Sequence, residues 1–475
     1  MSMSVLDHLV PVDPRREDQL RRRLAVQAAR RLGAALARWT RLLGRGRHSA
    51  GYRKRLVPVR ELMRAVSSQP SAVRNRFLSG GDFRTWLAGV EDALSMARAA
   101  RETRRFRPSE RSGRGNMSGG RASRTPASWV RLMECAADAG ELARLAPTGK
   151  LPSDFPDRAM DLAMMTLDRR AIEFPLIAIP FLPVAHAGRF RTLYCKDPGA
   201  GLPVTAPVTC APDRLTVRPR RDKRFEQGVQ RALALMRAAW PEAATLVKRQ
   251  TQLVVPIIEP GTVSYSSARR PGVSYINIHS RPSVRLAEDL LHEASHMRLH
   301  DIESLFPLTR DGGEGADEGP RFYSPWRREW RPLRGLIHGA FTFTVGAQFF
   351  ERMLCASKRR RAAVRLAGSR RLWLARRLLE EVEDVRVALR SLREAERAGL
   401  LLAAGRGLLA TISRERRSLA VRARRRRQWL SRTPGGRAEL VRLEAHIRRL
   451  SEKPLRWSWA RGRAQGRIAS AVMLP

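Results

Sequence analysis

The stretch LAEDLLHEASHMRLH, residues 286–300, constrains this chain more than any other. Leu286, Leu290 and Leu299 recur at helical spacing, so the segment is predicted to be a helix with one side against a core. His292 and His296 stand four apart with Glu293 beside the first, which is the HExxH pattern. Four residues is little more than one turn, so both imidazoles leave one face and can hold one metal ion, while Glu293 points partly aside. Two unpaired imidazoles on a buried helix would be costly, which favours a metal over two surface histidines.

A third ligand has to come from somewhere else. His300 lies on the same face, but it is eight residues from His292, about 12 Å of helix rise, whereas ligands of one ion each lie about 2 Å from it. The extended pattern HExxHxxGxxH fails as well, because Leu299 and Ile302 occupy the positions of its Gly and third His. His338 sits in an apolar run with Gly335 and Gly339 near it, and either serves as a core histidine or completes the pair. The carboxylate rivals are Glu314, Asp317, Glu318 and Glu351, of which Glu351 best matches a zinc-peptidase site of two histidines and one glutamate.

Composition narrows the setting. The 475 residues are 43% hydrophobic, enough for two or three domains and a large core. Lys and Arg exceed Asp and Glu by 46 charges, a balance that attracts nucleic acid or an acidic peptide. The excess is nearly all Arg, beside abundant Ala, Leu and Gly, as a GC-rich coding sequence produces by default, and no nucleic-acid-binding module is visible. Nucleic acid is therefore a possible but not favoured partner. Cys135, Cys195, Cys210 and Cys355 form no CxxC pair, which points to free thiols in a reducing cytoplasm. No apolar run reaches signal-peptide or membrane-span length, so a cytoplasmic protein without membrane association is expected.

The expected fold is mainly α, an α+β arrangement with helical N-terminal and C-terminal regions around a core that holds a small β-sheet and the HExxH helix. Residues 1–104 read as helices, with Leu20, Leu24, Ala28, Leu32, Leu36 and Leu42 as one stripe and further runs over 61–77 and 83–100. Residues 105–126 lose periodicity in Gly, Ser and Arg and read as a flexible linker. Residues 127–355 read as the metal-binding domain. It starts helix-rich to 172, passes through a Pro-rich section of loops and short strands over 175–219, and resumes as helix over 224–240. Short strands over 253–258, 262–265 and 273–278 then lead into the HExxH helix. An acidic Gly-rich loop over 311–320 precedes a helix from 333. Residues 356–475 read as Arg-rich amphipathic helices with Leu378, Val382, Val385, Leu389 and Leu392 as one seam, and the arginines of 424–427 as a solvated face or a contact for an acidic partner.

LLHEASHMRL followed by FYSPWRREWRPLRGLIHGAF, with YSSA and PG ahead of the helix, resembles the HExxH-motif domain family found beside ribosomally made peptide natural products. That family comprises α-ketoglutarate-dependent peptide β-hydroxylases, and the similarity covers roughly residues 250–355. The resemblance implies that His292, His296 and His338 bind non-haem Fe(II), that 2-oxoglutarate chelates the same ion, and that a precursor peptide is the substrate. Arg327, Arg331 and Arg334 are candidates for the distal carboxylate of 2-oxoglutarate, since a guanidinium bonds a carboxylate through two N–H groups. The motif by itself reads equally well as a zinc peptidase with Glu293 as general base. A third class is a basic helical protein that grips nucleic acid or an acidic partner.

Overall fold

The computed structural model describes residues 8–43 except 12, residues 64–79, scattered positions within 83–95, and short segments at 185–187, 190–192, 205–207 and 214–216; it also describes 223–310, 320–358 and 364–451 with short breaks. The expected linker 105–126, the helix-rich stretch 127–172, residues 311–319 of the acidic loop with Glu314, Asp317 and Glu318, and Cys135, Cys195 and Cys210 lie outside them.

The protein is mainly helical with small sheets. Near the N-terminus α1 (Pro14–Leu43) buries Leu20, Leu24, Ala28 and Leu32, the stripe set by its 3.6-residue period. The helical run expected over 61–77 is split. Residues 64–67 form one helical segment and α2 (Ser71–Ser79) the next. Pro70 separates them because it disfavours helical backbone at the residue before it.

Strands β1 (Ala185–Ala187), β2 (Phe190–Thr192), β5 (Leu253–Ile257), β6 (Ser264–Tyr265) and β7 (Val273–Asn277) form one sheet in the order β1-β2-β5-β7-β6. β3 (Thr205–Pro207) and β4 (Arg214–Thr216) pair separately. β5 runs parallel to β7 with Leu253 opposite Val273 and Ile257 opposite Asn277, while β6 is antiparallel to β7. Among the described residues β2 pairs with β5 only as far as Val254, so Pro256 lies beyond that pairing, where a residue without N–H is tolerated.

Two helices, α3 (Lys223–Ala239) and α4 (Pro241–Gln250), and the sheet surround α5 (Ser283–Leu305), the HExxH helix. α5 buries Leu286, Ala287, Leu290, Leu291, Ala294, Leu299 and Ile302, so apolar neighbours enclose it on several sides. A hairpin of β8 (Arg321–Ser324) and β9 (Glu329–Pro332) then delivers the chain into α6 (Leu333–Lys358). Its turn closes through Arg328 in the left-handed region at φ 56°.

α7 (Gly368–Arg397), α8 (Ala403–Ser431) and α9 (Pro434–Ser451) stack beyond α6, with the seam from Leu378 to Leu392 buried. One contiguous apolar cluster runs from Leu9 through α5 and α6 to Leu443. Arg426, from the basic cluster of 424–427, turns inward and grips Glu351 of α6 through two hydrogen bonds of 2.9 and 3.0 Å. No helix among the described residues is long and apolar enough to cross a membrane.

Candidate metal centre

On α5, residues 292, 296, 300 and 303 fall within an arc of about 80° at 100° per residue. α6 crosses that face and contributes His338. The result is a row of imidazoles. His292 Nε2 is 3.1 Å from His296 Nε2, and His296 Nδ1 is 3.0 Å from His338 Nδ1. His338 Nε2 meets Glu303 Oε2 at 2.9 Å, and the His300 ring lies 4.5 Å from that of His338 between centroids.

Arg334 closes the far end, donating to Glu303 Oε2 at 2.8 and 2.9 Å and to His300 Nδ1 at 2.9 Å. Although burial pushes the Glu303 carboxyl up, His338, whose Nε2–H it accepts, and the Arg334 guanidinium hold it well below the carboxylate range.

That acceptor fixes the protons along the row. Ionised Glu303 takes the Nε2–H of His338, so in the neutral form of the row His338 offers Nδ1 as a lone pair. His296 then donates Nδ1–H to it and keeps Nε2 bare, facing His292 Nε2. Burial and the Arg327 charge hold His292 down to about 4, and burial with the flanking imidazoles holds His296 well below its ordinary value. Both rings are therefore neutral at physiological pH, the form that binds a metal.

Glu293 is 2% exposed, and its Oε1 accepts the hydroxyl of Ser264 from β6. Its Oε2 is buried with no hydrogen-bond partner among the described residues. Burial raises the carboxyl to about 7, opposed by the Ser264 and Ser266 hydroxyls and by Arg327. Two neutral imidazoles whose Nε2 atoms stand 3.1 Å apart form a donor pair that fits a cation.

The sequence-predicted residues are thus brought together unevenly. His292 and His296 face each other through Nε2, as two ligands of one ion do. His338 reaches His296 through the opposite nitrogen. Among the described residues, the trio of His, Cys, Asp or Glu whose ligand atoms all lie within 4.8 Å of one another is His300, Glu303 and His338. Its composition suits Fe(II) or Zn(II), but the Arg334 guanidinium already compensates its carboxylate at 2.8 Å. Sequence reasoning missed Glu303. Its helical phase, one turn past His300 and nearly aligned with His292, was the available signal. Glu351 is removed from consideration, because its carboxylate is held by Arg426, thirteen residues and about 20 Å along α6 from His338.

The arginines divide in the same way. Arg334 is committed to Glu303 and His300; Arg331 lies 3.4 Å from Glu329 in an exposed pair, and its charge also acts on His296. Arg327 is exposed on the hairpin turn, and its charge acts on both His292 and Glu293. Beside it, Trp326 stacks on Phe343 at 4.5 Å, and Phe343 meets the His292 ring edge-on at 5.0 Å, so aromatic carbon walls that end of the row.

Gly339 makes this wall possible, since a Cβ there would lie 2.7 and 2.8 Å from indole carbons of Trp326. Gly339→Ala is expected to displace the indole and destabilise the protein by about 1–3 kcal/mol. Denaturant unfolding checks it, and the loss should shrink when Trp326 is also changed to Phe.

No protein-family model matches the chain, and a search of curated proteins finds no match.

Proposed function

We propose that this protein is a non-haem Fe(II)- and 2-oxoglutarate-dependent oxygenase that hydroxylates a side-chain β-carbon of a ribosomally made peptide. The observation that carries the reading is the imidazole row, in which Glu303 and His338 leave the Nε2 lone pair of His296 beside that of His292, with aromatic rings packed against the His292 end. His292 and His296 would hold the ion. His338, the third ligand by resemblance, stands against the far nitrogen of His296 and in that position orients it. When bound, iron and 2-oxoglutarate would supply the oxidation, with dioxygen giving one atom to the C–H bond and one to succinate as carbon dioxide leaves.

The chain's own residues do the remaining work. Arg327 is the candidate for the distal carboxylate of 2-oxoglutarate, because Arg331 and Arg334 already face Glu329 and Glu303. Trp326 and Phe343 exclude water from the His292 end. Glu293, with its carboxyl raised to about 7, can hold or release a proton at Oε2 near the ion.

That last property favours a second reading, a zinc peptidase in which Glu293 is the general base on a metal-bound water. One experiment separates the two. The protein is loaded anaerobically with Fe(II), then given 2-oxoglutarate, dioxygen and a peptide. Succinate together with a peptide heavier by one oxygen atom supports the oxygenase. Peptide cleavage that requires zinc and ignores 2-oxoglutarate supports the peptidase.

A further inference from the structure

On the opposite face of α5 from the histidines lies a polar cleft that the metal chemistry does not use. It is a narrow cleft between α1, α2, α4, Pro271–Gly272 and the end of α5, open to solvent at its mouth. Three arginines from separate segments line it: Arg21 of α1, Arg84, and Arg249 of α4. Two acids line it too, and both are engaged. Glu17 accepts Arg298 at 2.7 Å, and Asp301 accepts Arg84 at 2.6 Å and Gln250 at 3.1 Å.

Arg21 and Arg249 are left as a pair of like charges, and burial together with Arg249 depresses the Arg21 guanidinium. The nearest other acid on α1, Asp18, is exposed. Two part-buried guanidiniums carry up to ten N–H donors and two positive charges toward one space.

We infer that this cleft binds a phosphate group, as the free ion or as a monoester whose substituent leaves through the mouth. A phosphate near its dianionic form matches the two surplus charges, and its several oxygens can meet Arg21 and Arg249 from different sides. A carboxylate brings half the charge and two oxygens. The site ties α1 to the back of the metal-bearing helix, and it stands whatever the histidine row does.

The test titrates the full chain with inorganic phosphate against chloride at matched ionic strength, reading 31P line broadening and the thermal midpoint. Glycerol phosphate and glutarate are run as parallel arms. Phosphate should broaden and raise the midpoint where chloride does not, and glycerol phosphate doing the same marks the monoester form. Arg21→Gln and Arg249→Gln should each weaken binding by about tenfold or more, the worth of a charge-assisted bond. Arg30→Gln, on the exposed side of α1, should leave it unchanged. Without phosphate, Arg249→Gln should be at least as stable as the parent, since it relieves the like-charge pair, so lost binding is not lost folding. An equal response to chloride or glutarate, or an undiminished response in both arginine variants, overturns the assignment.

Discussion

Replacing His296 by Ala should abolish metal binding, read as metal per protein after dialysis and as the loss of a titration isotherm with Fe(II) or Co(II). His296 joins His292 through Nε2 to His338 through Nδ1, so its removal deletes a ligand and breaks the relay together. Glu303→Leu should act more weakly, because it removes the acceptor that sets the His338 tautomer but no donor at the His292 end. Loss of such an outer partner weakens affinity by about 10- to 100-fold. Glu303→Gln keeps an oxygen for the His338 N–H and should recover most of it. His338→Ala then separates ligand from orienter: a ligand falls with His296→Ala, an orienter with Glu303→Leu. Metal kept in full by His296→Ala but lost in His300→Ala would move the ion to the His300, Glu303 and His338 trio.

The parts of this site legible in sequence were those governed by local periodicity. The HExxH helix, the helix from 333, the α1 stripe and the three strands ahead of α5 follow from spacings of 3.6 or 2 within one segment; the structure has the strands and the start at 333 within a residue or two and extends the HExxH helix to Ser283–Leu305. What sequence could not give was pairing between segments. Glu351 and Glu303 are both acids on helices, and only the crossing of α5 with α6 and of α6 with α8 shows that Arg426 takes the first while His338 and Arg334 take the second. Helix rise correctly separates His300 from His292. It says nothing about a partner arriving from α6, which is why His300 joins the row next to His338. The β8–β9 hairpin was likewise hidden, since its strands are four residues each and the half-buried Trp326 in the turn packs against the space left by Gly339 of a later helix.

The back of α5 carries the second large effect. Arg298 is the largest fully buried side chain among the described residues, and its guanidinium meets Glu17 of α1 at 2.7 Å, with the two side chains 2% and 3% exposed. The pair joins positions 281 apart in sequence, so it fixes α1 against the metal helix only once both have folded. Arg298→Met strips the charge from Glu17 without letting water reach it, and should destabilise the protein by about 3–5 kcal/mol, as breaking one side of a buried pair does. The partner substitution decides whether the cause is charge or shape. Adding Glu17→Met should return most of that stability, since two thioether side chains fill similar volume with no ion left to desolvate. Equilibrium denaturation of both singles and the double measures the coupling, and a single-variant loss below about 1 kcal/mol would mean that water reaches the pair and it behaves as a surface salt bridge. Arg298 lies about 120–160° round α5 from the histidines at 100° per residue, so metal stoichiometry should be unchanged in every folded variant of the cycle. Loss of stability with the metal centre intact would place the two functions of this one helix, anchoring α1 and presenting imidazoles, on opposite faces.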